Sequence, residues 1–219
     1  MPKNHLKRIA APRSWSIKRK AKYWIVRPKS AHKIGNCIPV AVLIRDFLKY
    51  SKTLREVKNI VNTKNVLVNG KRVKDIHLGI GLMDVFEIPD LKEKYIILIN
   101  NLGKIVIEKT KLEFRISKIV SKRKIGQKTQ LNLFGGGNFI VDKDSYKTGD
   151  SIVADNKKIK EHLKFEQGAS CLLTGGSHIG EFGKISKIEK NKVTIKAGEE
   201  EFETLKDFVY ITGKEALRA

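Results

Sequence analysis

The sequence predicts an α+β, mostly β chain made of a basic N-terminal arm followed by three small modules. Three observations predict it. The 45 Lys+Arg residues outnumber the 23 Asp+Glu, but unevenly: residues 1–45 hold twelve basic residues and no acid, and the first carboxylate is Asp46. Helical apolar spacing is confined to one stretch after Pro39, and short β-rich runs broken by glycine fill the rest. The chain is 41% apolar but only 7% aromatic, which suits several small cores better than one large one. The expected division is an arm at 1–38, a helix–hairpin module at 39–91, a central antiparallel β barrel or sandwich at 92–166, and a small SH3-like barrel at 167–219.

The arm comes first. A stretch of +12 without counter-charge repels itself, so it is expected to order only against a polyanion. A membrane-surface helix would need a sustained apolar face opposite the charge. The arm instead breaks at Pro2, Pro12 and Pro28, so nucleic acid is favoured. Lys3, Lys7, Arg8, Arg13, Lys18, Arg19, Lys20, Lys22, Arg27, Lys29 and Lys33 are candidate phosphate partners, His5 and His32 are further candidates for RNA contact, and Trp15, Tyr23 and Trp24 are candidates for stacking on bases. For Trp15, packing on the protein's own core is the equal alternative.

In the helix–hairpin module, Pro39 opens a helix whose Val40, Leu43, Ile44, Phe47 and Leu48 form one apolar face. Thr53 and Glu56 have the spacing of a capping box, which predicts a second helix from Leu54, packed through Leu54, Val57, Ile60 and Val61. Asn69-Gly70 between Val66–Val68 and Lys71–Val73 predicts a hairpin with a type I′ turn, and a third strand is expected at Val85–Ile88. Arg45, Arg55, Lys71, Arg72 and Lys74 are the candidate RNA contacts here.

A junction is expected at Asp90–Glu93. The central runs are Tyr95–Ile99, Lys104–Ile107, Leu112–Val120, Thr129–Leu133, Asn138–Asp142 and Ser151–Ala154, with turn-formers between them. Lys122, Arg123 and Lys124, with Lys128, are expected to form a basic loop that touches phosphate. The last strands are Ala169–Leu173, Gly183–Ile188, Lys192–Ala197 and Glu201–Leu205, with Phe208–Ile211 as an added edge. Segment charges are +2 for 46–91, +9 for 92–165 and −1 for 166–219, so the last module contributes no net positive charge.

Enzymatic patterns fail on inspection. Gly183-Lys184 lacks the P-loop's earlier glycine, which is His178 here, and Ile185 stands where Ser or Thr is required. The five histidines, His5, His32, His77, His162 and His178, form no i,i+4 pair. Cys37 and Cys171 form no C-x-x-C pair, so no catalytic residue, metal or cofactor is expected, and a reducing cytoplasm suits them. No run reaches the roughly 18 apolar residues of a membrane span, and no apolar stretch behind Lys3, Lys7 and Arg8 makes a secretory signal.

The stretch His5 to Lys18, HLKRIAAPRSWSIK, resembles the N-terminal signature of the ribosomal protein S4e family of archaea and eukaryotes. His5, Lys7, Arg8, Pro12 and Trp15, apolar Ile9 and Ile17, and basic Arg19 carry the resemblance. It continues through His32-Lys33, the Pro39–Tyr50 helix and the Val66–Val73 hairpin, and spans essentially the whole chain. The helix–hairpin part is similar to the alpha-L RNA-binding module. Gly168 to Ile188 is similar to a KOW motif, with Gly175, Gly176, Gly180 and Gly183 in its loop. Leu131 to Asn138 departs from the family, which has His-Asp ahead of the glycine and Arg after it. The chain also stops soon after the KOW-like module, as in archaeal members. The resemblance implies a cytoplasmic, non-enzymatic constituent of the small ribosomal subunit. Its expected partners are small-subunit ribosomal RNA and neighbouring ribosomal proteins, with no membrane contact and no homo-oligomer. The alternative is a stand-alone RNA-binding assembly or stress factor. A transcription-elongation accessory would leave the basic arm unexplained.

Overall fold

The computed structural model describes residues 5–112, 114–142, 144–155, 159–198 and 200–213. The chain is mostly β, with few helices and several antiparallel sheets, and divides into two compact units. The first comprises Met1–Leu98 with Lys104–Thr110, and the second Ile99–Gly103 with Lys111–Ala219.

In the first unit, β1 (Leu6–Lys7) pairs antiparallel with β2 (Trp24–Ile25). β3 (Cys37–Pro39) pairs with β6 (Gly79–Gly81), and Pro39 leads directly into α1 (Val40–Val42). Pro39 is therefore the last strand residue, immediately ahead of the helix. The helix widens over Leu43–Phe47 and stops at Lys49, which takes a left-handed φ of 58°. α2 (Leu54–Thr63) begins with the expected capping box, Thr53 and Glu56 satisfying each other's backbone N–H. Its Val57 and Val61 are buried, whereas Leu54 is 39% exposed and does not join the core.

β4 (Leu67–Val68) and β5 (Lys71–Arg72) flank the Asn69-Gly70 turn, whose φ values of 51° and 74° are both positive, as type I′ requires. β4 continues through β7 (Val85–Ile88) and β8 (Glu93–Ile99) to β9 (Ile105–Lys109), giving the order β5-β4-β7-β8-β9. The expected junction at Asp90–Glu93 is therefore a turn within one sheet, and the two strands assigned from sequence to the central module complete the first sheet instead. The reason is register: Val85 faces Ile96 and Ile88 faces Glu93, a tight antiparallel return. Lys109, Tyr50 and Tyr95 converge on Glu93 at the start of β8 and hold its carboxyl down at about 2. The core under this sheet gathers Trp15, Ile38, Val40 to Ile44, Val57, Val61, Phe86 and Ile97.

In the second unit, one sheet has the order β12-β11-β10-β13-β14, from β10 (Arg115–Ile125), β11 (Lys128–Leu133), β12 (Asn138–Val141), β13 (Ser151–Ala154) and β14 (Ile159–Leu163). Ile119, Leu131, Leu133 and Ile152 form its core. The other has the order β18-β17-β16-β15-β19, from β15 (Ser170–Leu173), β16 (Phe182–Ile188), β17 (Lys192–Ala197), β18 (Glu200–Leu205) and β19 (Val209–Ile211). Cys171, Ile185, Val193, Ile195 and Ile211 fill it. Within this unit Lys118 reaches from β10 to the carbonyls of Asp207 and Val209, both at 2.8 Å, and Tyr210 Oη donates to the Ile116 carbonyl at 2.8 Å. Burial pushes the Lys118 ammonium down to about 8, against the pull of Asp207.

Candidate nucleic-acid interface

The arm folds onto the first unit from within. Trp15 is 2% exposed, and its indole N–H donates to the Cys37 carbonyl at 2.8 Å. Arg8 is buried; its Nε donates to the Lys18 carbonyl at 2.5 Å and its Nη2 lies 3.5 Å from Asp46 Oδ1. Arg19 spreads its fork over three carbonyls, Ile9 at 3.1 Å, Ala11 at 2.7 Å and Pro12 at 2.9 Å. Irregular backbone leaves acceptors that helix or sheet would have paired, and a planar guanidinium with five donors satisfies several at once.

These contacts correct several expectations. The arm orders against protein, not only against a polyanion. Trp15 packs in the core, the second of the two readings its sequence position left open. Arg8 and Arg19 hold the arm's own loop. His32 also turns inward, its Nε2 3.2 Å from Asp84 Oδ2 with both side chains nearly fully buried. Asp84 further accepts the Gly81 N–H at 2.7 Å and Asn69 Nδ2–H at 3.0 Å, which ties His32 to the hairpin turn. Arg45 pairs with Asp46 at 2.7 Å and is half-buried.

The outward set is distinct. His5, Lys7, Arg13, Lys18, Lys20, Lys22, Arg27, Lys29 and Lys33 are exposed. Lys29 makes a surface ion pair with Asp75 at 3.4 Å, which leaves it solvated. Lys3 lies outside the described residues. Tyr23 and Trp24, read from sequence as stacking candidates, are 60% and 51% exposed.

A basic cleft of about 550 Å³ opens beside α2, lined by Leu54, Arg55, Lys58, Asn62, Lys74, Asp75, Ile76 and His77. Arg55, Lys58 and Asn62 fall at i, i+3 and i+7, one stripe of α2, and Lys74 and His77 come from the segment after β5. The backbone N–H of His77 holds the Asp75 carboxyl below its ordinary value, with smaller help from the His77 ring and Lys29 against the push of burial. Arg72 Nη2 donates to the Asn62 carbonyl at 3.1 Å, and Lys71 stands exposed beside it on the hairpin. Of this cleft the sequence singled out Arg55 and Lys74; the helical stripe was the signal that would have added Lys58 and Asn62.

In the second unit, Lys122, Arg123 and Lys124 lie in strand β10, not in a loop, opposite Leu131, Gln130 and Thr129. The turn is two residues further on, at Gly126. A strand pair solvated on its outer stretch accepts charged side chains without burying them. Lys122 Nζ donates to Asp144 Oδ1 and the Tyr146 carbonyl, both at 2.5 Å, while Arg123 and Lys124 are exposed. The departing segment ends β11 and opens β12, and in the turn between them Gly135 and Gly136 take φ of 86° and 87°.

Among the described residues no group of three or more His, Cys, Asp or Glu side chains is placed to hold a metal ion. No described helix is long and apolar enough to cross a membrane. Small β-rich modules with an anchored basic arm and cations turned outward have the features of a modular polyanion-binding protein. The comparisons with known proteins are specific. A model of the RS4NT (NUC023) domain matches residues 1–34, and a model of the ribosomal S4e family matches residues 91–160. Small ribosomal subunit protein eS4 of Methanococcus maripaludis is 38% identical over 98% of this chain and 96% of its own length. The protein of the same name from Archaeoglobus fulgidus is 38% identical over 96% and 93%. The crystal structure of 30S ribosomal protein S4e from Thermoplasma acidophilum superposes with a TM-score of 0.69 at 34% identity, covering 83% of this chain and 97% of that one. The chain belongs to the small ribosomal subunit protein eS4 (S4e) family.

Proposed function

We propose that this chain is a non-enzymatic structural constituent of the cytoplasmic small ribosomal subunit that binds ribosomal RNA and supports translation. The observation that carries the proposal is the division of labour in the arm: Trp15, Arg8 and Arg19 anchor it, and the remaining arm cations among the described residues face solvent. Cations presented on an ordered scaffold meet phosphates with less ordering cost than a disordered tail would incur. Phosphate contacts then set position and register on the RNA.

The arm (1–38) and the helix–hairpin part (39–91), taken as an alpha-L-type module, form the principal RNA surface. Its contacts are His5, Lys7, Arg13, Lys18, Lys20, Lys22, Arg27, Lys29 and Lys33, then Arg55, Lys71, Arg72 and Lys74 around the cleft. Arg123 and Lys124 on β10 add a second patch. The C-terminal part (167–219), taken as a KOW-type module with no net charge, suits a neighbouring ribosomal protein. A quantitative sucrose gradient of native lysate tests the assignment. The chain should be equimolar with the small subunit, remain in translating ribosomes and survive a moderate salt wash. A minor signal confined to immature particles or the free pool would replace it with an assembly or stress factor.

A further inference from the structure

The two-residue ladder of β1 and β2 sorts its side chains by face. Leu6 opposes Ile25, which is buried, and Lys7 opposes Trp24, which is 51% exposed. Directly opposed residues share a face of an antiparallel pair, so Lys7 and Trp24 stand together on the solvent side. Around them lies a group of exposed rings. Tyr23, 60% exposed, meets Trp24 edge to face with ring centroids 4.6 Å apart. The His5 ring lies 5.3 Å from Trp24, and Lys7 Nζ sits 5.3 Å from the centre of the Tyr23 ring. An edge-to-face pair fixes one ring by the other and leaves the indole with a presented surface. Folding alone gives no reason to expose two large aromatics. The chain already has a tryptophan anchoring this arm, Trp15.

The surrounding charge selects the occupant. No acidic residue precedes Asp46, and Lys18, Lys20 and Lys22 are exposed in the segment leading into Tyr23. A partner offering a flat π face and carrying negative charge satisfies both halves of the site, and an unpaired nucleotide is that chemistry. From this geometry we infer that His5, Lys7, Tyr23 and Trp24 form a stacking platform for an unpaired base of single-stranded RNA, with Lys7 beside its phosphate. The inference rests on the RNA-binding function proposed above and adds a ligand class and a place to it. It also separates the two tryptophans, Trp15 holding the arm and Trp24 receiving the base.

The full-length chain reports on the platform directly, because its two tryptophans differ so much in exposure. Titration with unstructured decauridylate should quench the Trp24 emission. Trp24→Ala should abolish that quenching and weaken the affinity by roughly 5- to 150-fold, the range of one base–aromatic stack, and Trp24→Phe should restore most of the affinity. The slope of log affinity against log salt should stay as in the parent chain, since no phosphate contact is lost. Circular dichroism and the buried Trp15 emission of each variant verify that the arm remains folded. Unchanged affinity for Trp24→Ala with the parent chain's emission unquenched in the RNA-bound state would overturn the platform, leave RNA binding itself standing, and assign Tyr23 and Trp24 to a protein contact. A loss of affinity that comes with a flatter salt slope would also overturn it. Absence of any RNA binding by the parent chain would refute the proposed function together with the platform.

Discussion

Replacing Trp15 by alanine tests whether protein contacts, and not RNA, hold the arm. A buried tryptophan covers about 150–250 Å², which at about 25 cal/mol per Å² corresponds to a transfer contribution of roughly 4–6 kcal/mol. Alanine keeps part of this, and truncations of this type cost about 3–5 kcal/mol. Loss of the 2.8 Å indole bond leaves the Cys37 carbonyl to find another donor, at about 1 kcal/mol more. The whole first unit need not bear that cost. An arm that undocks locally relieves it, so the loss is capped by the free energy of arm docking. The assay is amide hydrogen exchange on the RNA-free chain. In the parent, the Arg8 amide is bonded to the Tyr23 carbonyl and the Ile105 amide to the Ser14 carbonyl, both at 2.8 Å, and both should be protected. In Trp15→Ala their protection should fall by about two decades or more, while the α2 amides change less. Equal protection in the two proteins, or arm amides already unprotected in the parent, would refute the reasoning.

Further outcomes follow from the same structure. A β-carbon on Gly81 would overlap the His32 ring, so Gly81→Ala should displace His32 from Asp84 and cost about 1–3 kcal/mol in urea unfolding, and a neutral result would show that the pocket relaxes freely. Burial pushes Asp150 up, but the backbone N–H groups of Phe165 and Lys147 and the His162 ring together bring its carboxyl below the ordinary value. A depressed folded value means stability that is present above roughly pH 4 and is lost as pH falls through the folded value. Asp150→Asn should therefore lower the neutral-pH stability of the second unit by about 2 kcal/mol and flatten its acid limb; an unchanged acid limb would contradict the assignment. Replacing Lys18, Lys20 and Lys22 together by Gln should reduce the salt slope of RNA binding by roughly 2–3 with the fold intact, and an unchanged slope would remove them from the interface. Arg55→Glu with Lys74→Glu should weaken structured-RNA binding more than single-strand binding, as a gel-shift comparison would show.

Local chemistry was legible in the sequence where it is self-contained. Thr53 and Glu56 announce the start of α2, Asn69-Gly70 announces a positive-φ turn, and Ser151–Ala154 is a strand with the bounds the pattern implied. Pairing was not legible, because it depends on partners distant in the chain. β4 and β7 were recognisable as strands, yet nothing within them says that they pair across the intervening hairpin and β6, or that the short turn after Ile88 keeps β8 in the same sheet. β14, with Lys160, Glu161 and His162 between its apolar ends, lacks a buried alternating face and went unread. The same limit governs the site. Arg8, Arg19 and Lys20 are all plain cations in the sequence, and only distant partners, the Lys18 carbonyl and Asp46 for Arg8 and the carbonyls of Ile9, Ala11 and Pro12 for Arg19, decide which turn inward.

The hydrogen bond from the Ile105 amide to the Ser14 carbonyl also orders events in time. The arm leaves the translation machinery first, but the strand that closes over Ser14 is made about ninety residues later. At roughly 5–20 residues per second, that leaves about 5–20 s during which the arm exists without its last backbone fastening. Throughout that interval it is a bare polycation among polyanions. The finished arm is a preset surface, whereas the nascent one is open to premature engagement, and the arrival of β9 marks the passage from one to the other.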